Sequence, residues 1–207
     1  FHTAMILEDR LIADIDRITL QRVLRPKVQG GWNLHAATSQ HDLEYFILFS
    51  SLSSVFGHAG QANYSAANAF LDSLAHYRRS LGMPGLVINW GHVGEVGYLS
   101  QRSELSERLE RQGVLRFSAA EAMACMERLI GNQAIQQSVL RMDWTRWRGL
   151  GITGDVSLRF AHLLRGKPDQ TSSSERLATA SEVRAAVGDA RAAMINNIVC
   201  RKVSALL

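Results

Sequence analysis

Four residues in this chain have types and spacings that could do chemistry together: Lys27, Ser51, Tyr64 and Asn68. The apolar run "YFILFSSLSS" ends in a pair of serines, and Tyr64 follows Ser51 by thirteen residues. Tyr64 is the second residue of "NYSAANAFLD", a stretch rich in small residues that reads as the start of a helix. Asn68 comes one turn later, so positions i and i+4 share a face and can turn toward one cleft. Lys27 belongs to an earlier helical segment that would pack alongside. A lysine ammonium near a phenol favours the phenolate and lowers the phenol pKa. That would poise Tyr64 as a general acid near neutral pH. A serine hydroxyl beside it can hydrogen-bond the same substrate oxygen. Taken singly, each residue has an ordinary structural role, and only the joint spacing carries the reading.

The surrounding pattern predicts the elements that must position these groups. Residues 15–38 have helical spacing through Ile15, Ile18, Val23, Leu24, Val28, Trp32, Leu34 and Ala36. Gly30 and Gly31 each cost this helix about 1 kcal/mol, which close packing against a neighbour would justify. Residues 43–50 form a short apolar run of the kind buried on both faces of a parallel sheet. A helix is predicted over 62–80, ending near Gly82 with Arg78 and Arg79 in its last turn. Strands follow at 86–89 and 138–143, and helices at 100–112 and 118–130. Ser118 and Glu121 have capping-box spacing. Alternating strands and helices indicate an α/β, Rossmann-like parallel sheet flanked by helices and followed by a helical tail. Such sheets bind ligands at the carboxyl ends of their strands, which is where the serine pair and the Tyr64 loop lie. The organisation expected is a catalytic portion over 1–150, a polar linker region over 151–175 and a helical segment over 176–207.

Composition narrows the alternatives. The 207 residues are 46% hydrophobic and 20% charged, enough for one core. Twenty-three basic residues are interspersed with 19 acidic ones for a net charge of +4, with no clustered basic face to suggest nucleic acid. Cys125 and Cys200 form no CxxC, and the seven histidines show no HxxxH or HExxH spacing, so no metal site is expected and a reducing, cytoplasmic setting is. No apolar run approaches the ~20 residues of a membrane span. The N-terminus has no signal-peptide pattern and reads as a chain cut from something longer.

The segments "FHTAMILEDRLI", "LRPKVQGGWNLH", "FILFSS", "GQANYSAANAFLD" and "INWG" resemble the ketoreductase domain of modular polyketide synthases, relatives of the short-chain dehydrogenases. The resemblance covers about residues 1–150. Ordinary short-chain dehydrogenases carry lysine four residues after the tyrosine. Here that position is Asn68 and the lysine is Lys27, an exchange these synthase domains share. The resemblance implies NADPH-dependent reduction of a β-ketoacyl thioester tethered by phosphopantetheine to an acyl carrier protein. It implies that Tyr64 donates the proton, that Ser51 polarises the carbonyl, and that Lys27 acts on Tyr64 and the nicotinamide ribose. It further implies that Asn68 holds a relay water and that the backbone at Gly91 and Val93 lies against the nicotinamide. Leu7-Glu8-Asp9 stands where B-type members carry Leu-Asp-Asp. Phe56 stands where A-type members carry tryptophan. Asp9 and Phe56 therefore point to a B-type, D-3-hydroxy product.

The match "GLGITG" (Gly149, Gly151, Gly154) is weak as a phosphate loop, because "TRWR" separates it from the preceding strand. The resemblance places the true glycine loop before Phe1, so residues 1–207 alone are expected to bind NADPH poorly and to be inactive alone. The tail "EVRAAVGDARAAMINNIVCRKVSALL" resembles the first helix of an acyl-carrier domain. Other synthase domains and a homodimeric parent are expected as partners. Two rival readings are a non-catalytic, bracing reductase-like subdomain and a free-standing short-chain dehydrogenase. The intact four-residue set opposes the first, and the lysine–asparagine exchange opposes the second.

Overall fold

The computed structural model describes residues 1–97 and 102–147, together with Phe160, Leu163, Ala185, Ala186 and Ala190. The chain divides into two units, Phe1–Leu164 and Arg165–Leu207. The linker and tail expected over 151–175 and 176–207 lie almost wholly outside the described residues, as do Gly149, Gly151, Gly154 and Cys200.

The first unit is built on a parallel sheet. Strand β1 (Ile47–Ser51) pairs with β2 (Leu86–Trp90), and β2 pairs with β4 (Gln136–Val139), in the order β1-β2-β4. The register sets Ile47 beside Leu86 and Leu48 beside Val87. Because strand side chains alternate in direction, the sheet feeds two separate cores. Leu48 and Val87 join Phe46, Leu71, Leu74 and Ala75 on one face. Ile47, Leu86 and Ile88 meet Met126 on the other. Burial on both faces is why β1 and β2 read as continuous apolar runs rather than alternating ones. At the free edge of β1, His2 pairs in parallel with Leu48: its N–H donates to Ile47 O at 2.8 Å, and Phe49 N–H donates to His2 O at 2.9 Å.

Helices α1 (Arg17–Thr38) and α3 (Ala62–Ser80) pack against each other, with α3 covering the Leu48 face. A short helix α2 (Ser53–Phe56) links β1 to the Tyr64 loop. Helix α1 starts at Arg17 because the Asp16 carboxylate accepts from Thr19 N–H at 2.7 Å, closing the first turn. Its inward stripe is Thr19, Val23, Lys27, Gly31 and His35. Of the apolar residues that mark its period, Ile18, Trp32 and Leu34 are instead exposed. The glycine pair has two specific uses. A Cβ on Gly31 would lie 2.9 Å from Leu71 Cδ2, and one on Gly30 would lie 3.2 Å from His2 Nε2.

The structure differs from the sequence pattern in three further places. The run over 43–50 becomes a strand only from Ile47; Phe46 and Leu43 pack into the core from outside it. The stretch over 138–143 is not one strand. It breaks at Leu140 into β4 and β5 (Arg141–Met142), and β5 pairs antiparallel with β3 (Val114–Leu115) in a separate two-stranded sheet. Helix α4 is shorter than 100–112, running over Ser103–Arg111.

Helix α5 (Ala119–Ile130) carries the capping box: Ser118 Oγ accepts from Glu121 N–H at 3.2 Å, and Glu121 Oε2 accepts from Ser118 N–H at 2.8 Å. This helix delivers Met126 to the Ile47–Ile88 core. Ser118→Ala should cost about 1 kcal/mol, read as a lower urea midpoint with an unchanged slope. An unmoved midpoint would show the cap to be dispensable.

Candidate active site

Lys27 reaches the site from the middle of α1. It follows Pro26, whose ring removes one helical N–H. The Pro26 carbonyl accepts from His2 Nε2–H at 2.9 Å, so the same residue that pairs with β1 also holds α1 against the strand edge. From there the Lys27 ammonium, with its residue only 2% exposed, donates to the Phe49 carbonyl at 2.8 Å. It lies 5.8 Å from the centre of the Tyr64 ring. Burial pulls its pKa down to about 8, and the charge of Asp72 opposes that pull.

Ser51 ends β1. Its Oγ accepts from Ser53 N–H at 3.2 Å, and its carbonyl accepts from Ser54 Oγ–H at 2.8 Å, so α2 folds back over the strand end. Tyr64 sits in the first turn of α3. Its N–H donates to Asn63 Oδ1 at 2.8 Å, and Asn63 Nδ2 donates to the Glu8 carbonyl at 2.9 Å. Arg10 N–H donates to Gly60 O at 2.8 Å, and Gln61 Nε2 donates to both Asp9 oxygens at 3.2 Å. The Glu8–Arg10 loop is thereby pinned to the segment that presents Tyr64.

The phenol of Tyr64 donates to Met5 Sδ at 3.7 Å. Burial pushes its pKa up, the neighbouring Asn68 and Ser51 side chains pull it back, and the Asp9 charge adds to the rise. This corrects the expectation of a phenol acidified by Lys27. The consequence still suits an acid, because a raised pKa keeps the proton on the oxygen until an acceptor arrives.

One cavity of about 530 Å³ gathers Lys27, Ser51, Tyr64, Gly91 and Val93. The rest of its wall is mainly apolar, with Leu105, Leu109, Met123 and Met126 from α4 and α5, and includes the polar His58 and Gln61. Asn68 does not line it. It is fully buried behind Tyr64, with Nδ2 donating to the Tyr64 carbonyl at 2.8 Å and Oδ1 left without a partner. Asp9 is exposed at its position beside Gln61, which does line the cavity. Phe56 is turned away: its ring centre lies 5.1 Å from Trp147 and 4.6 Å from Phe160, in an aromatic cluster around Leu109 and Val114. It packs there and does not contact the cavity.

The Gly91–Val93 segment is held from two sides. Gly91 N–H donates to Val139 O at 2.8 Å, and a Cβ on Gly91 would lie 3.0 Å from that oxygen. Beyond it, Phe117 N–H donates to His92 O and Gly94 N–H donates to Phe117 O. In such a parallel bridge the peptide groups of the intervening residue face the other way, so Val93 offers its own N–H and carbonyl on the opposite edge of the segment. His92 is buried with Nε2 3.1 Å from Ser106 Oγ, tying the segment to α4, and burial holds its pKa below the usual imidazole range.

Several residues that shape the site carry no obvious signal in the sequence. Asn89, fully buried in β2, has its Nδ2 within hydrogen-bond distance of Ser50 Oγ (3.0 Å), Ser54 Oγ (2.9 Å) and Asp72 Oδ1 (2.9 Å), between which its two hydrogens are shared. The one available signal was a lone polar residue within the apolar "LVINWG". Asn63 and Asp72 lie on the helix that carries Tyr64, where their spacing does not set them apart from surface residues. Among the described residues no group of three or more His, Cys, Asp or Glu could hold a metal ion. No described helix is long and apolar enough to cross a membrane.

Residues 1–95 match the family model described as "KR domain". This chain belongs to the polyketide-synthase ketoreductase family. It is 36% identical over 190 residues to polyketide synthase GfsB of Streptomyces halstedii, covering 91% of this chain and 3% of that protein. It is 42% identical over 134 residues to squalestatin tetraketide synthase clz2 of Cochliobolus lunatus, covering 63% of this chain and 5% of that one. The chain thus spans only a few per cent of the length of these synthases. Among solved structures, an A-type ketoreductase from a modular polyketide synthase superposes with a TM-score of 0.69 at 38% identity, covering 71% of this chain and 31% of the other. A C2-type ketoreductase superposes at 0.60 with 25% identity, covering 69% and 31%. Ketoreductases of different types therefore share this fold, and type must be argued from individual residues.

Proposed function

We propose that this ketoreductase portion reduces a β-ketoacyl thioester, carried on the phosphopantetheine arm of an acyl carrier protein, to the β-hydroxyacyl thioester. The observation that carries the reading is the convergence of the Lys27 ammonium, the Ser51 hydroxyl and the Tyr64 phenol on one largely apolar cavity. NADPH, when bound, supplies a hydride to the carbonyl carbon. The residues present fit such a cofactor: Val93 offers unused peptide groups beside the cavity, and Lys27 and Tyr64 lie on the same cavity. Ser51 donates a hydrogen bond to the substrate oxygen and polarises it. Tyr64 gives its proton to that oxygen as negative charge develops there. The buried Lys27 ammonium favours the phenolate left behind. The unpartnered Asn68 Oδ1 supports the role of holding a water that returns a proton to Tyr64.

The same reading assigns the B-type outcome. The loop carrying Asp9 is fixed beside Tyr64 through Gln61 and Asn63, and Leu7 lines the cavity. No tryptophan stands at position 56, and Phe56 is withdrawn into its own cluster. An arm guided along the Asp9 side would present the carbonyl face that yields the D-3-hydroxyacyl product. The parent is taken as a cytoplasmic, homodimeric synthase that supplies the remaining domains. Incubating the intact ketoreductase-containing protein with NADPH and a β-ketoacyl thioester, then separating the product on a chiral column, tests both levels. A mainly D-configured alcohol is expected. A mainly L-configured alcohol would overturn the B-type assignment, and no NADPH-dependent alcohol would overturn the reductase reading.

A further inference from the structure

Helix α4 has little apolar surface with which to hold its place. Five of its nine residues are charged, and Leu105 and Leu109 are its only apolar ones. Both leucines line the cavity. Ser106 shares their face of the helix, at i+1 from Leu105 and i−3 from Leu109, and is buried at 8% exposure. Its Oγ lies 3.1 Å from Nε2 of His92, which is 1% exposed. His92 stands between Gly91 and Val93, which line the same cavity. Its carbonyl accepts from Phe117 N–H at 3.0 Å, so the ring springs from a fixed backbone. Apolar contact is non-directional, and two leucines alone leave the rotation of α4 about its axis loosely set. A hydrogen bond has a narrow range of length and angle. Burying a hydroxyl and an imidazole is costly unless they are paired, and the pairing selects one rotation of the helix.

We propose that His92 is a positioning residue that governs substrate choice: through Ser106 it fixes the apolar wall that α4 gives the cavity, and so sets how tightly an aliphatic acyl chain is held there. This rests on the ketoreductase reading for the identity of the ligand. Neither His92 nor Ser106 lines the cavity, so the pair acts through Leu105 and Leu109. The effect therefore belongs to the part of the substrate that meets α4. Lys27, Ser51 and Tyr64 stand on other elements, α1, β1 and α3, and keep their places when the pair is broken.

The test compares the acetoacetyl and 3-oxooctanoyl thioesters of N-acetylcysteamine on the intact ketoreductase-containing protein with NADPH. They carry a methyl and a pentyl group beyond the ketone, so only the second has a chain to lay against α4. Ser106→Ala should raise KM for the longer thioester about fivefold, the worth of one hydrogen bond, and leave kcat and the KM of the shorter one within about twofold. His92→Gln, whose amide can donate or accept at a similar reach, should keep the wild-type KM, and His92→Leu should not. Combining His92→Leu with Ser106→Ala should be no worse than either alone, because both remove the same bond. A KM that moves equally for both thioesters in Ser106→Ala, or for neither, would overturn the proposal, and so would losses that add in the double variant. Ser106→Ala decides the matter by itself if His92→Leu fails to fold. Calorimetric titration with the same two thioesters reads Kd without turnover. If the wild-type protein reduces neither thioester and Ser106→Ala still shows the split in Kd, the reductase reading falls and the role of His92 stands. A wild-type protein that binds the longer thioester no more tightly than the shorter would overturn that role.

Discussion

Tyr64→Phe should lower kcat by about 10²–10⁴ while leaving the fold and the affinity for NADPH nearly unchanged. The phenol oxygen lies on the same cavity as Ser51 at the end of β1, and its loss leaves the substrate oxygen with a hydrogen-bond donor but without its proposed acid. Its present hydrogen bond, to Met5 Sδ at 3.7 Å, is long and to a weak acceptor, so removing it costs little stability. The ring, which fills the buried space beneath the Lys27 ammonium, is retained. The loss should therefore fall on turnover and spare the unfolding midpoint. Steady-state rates with a β-ketoacyl thioester, set beside Tm and a fluorescence titration with NADPH, separate the two. A near-native rate in Tyr64→Phe would remove Tyr64 from the chemistry. A collapse of Tm would show that its role is structural.

The reach of the sequence differs between elements for physical reasons. Helix α3 and the α5 capping box were legible because their signals are local: small and apolar spacing in one case, Ser118 and Glu121 three apart in the other. Strands β1 and β2 were legible because burial on both faces leaves a continuous apolar run. The break at Leu140 was not, since a chain that changes partner from β2 to β3 keeps the same residue character across the change. In α1 the apolar period identified a helix but matched its inward face only in part: Val23 is buried, while Ile18, Trp32 and Leu34 are exposed. The buried stripe there must admit Lys27 and let Leu71 approach Gly31, so it is polar and small. The spacing of Lys27, Ser51 and Tyr64 carried their convergence, while the sign of the Tyr64 shift depended on burial that no spacing encodes. Asn89 and Asp72 leave no signal in the pattern for a related reason. Hydrophobic patterning treats a polar residue as a surface residue, and here both lie inside, satisfied by each other.

Lys27→Met should stabilise the fold near neutral pH by about 2 kcal/mol while abolishing turnover. The ammonium has a pKa of about 8 in the folded chain against 10.5 for the free side chain. At about 1.36 kcal/mol per pH unit, burying the charged form costs about 3 kcal/mol wherever both states are protonated. Methionine fills similar volume without that cost. It also leaves the Phe49 carbonyl without its donor, which returns about 1 kcal/mol. The sign with pH follows from proton counts. Between about 8 and 10.5 the unfolded chain holds the Lys27 proton and the folded chain does not, so wild-type stability contributed by this group rises with pH across that window. The advantage of Lys27→Met should shrink across the same interval and be gone above it. Urea unfolding of both proteins at neutral pH and at successive values up to the alkaline side of the window would show the two stabilities converging. A variant less stable than wild type at neutral pH, or a difference that does not change through the window, would mean that Lys27 is not held charged at a cost. It would then lose its place as the buried cation that the Tyr64 phenolate requires.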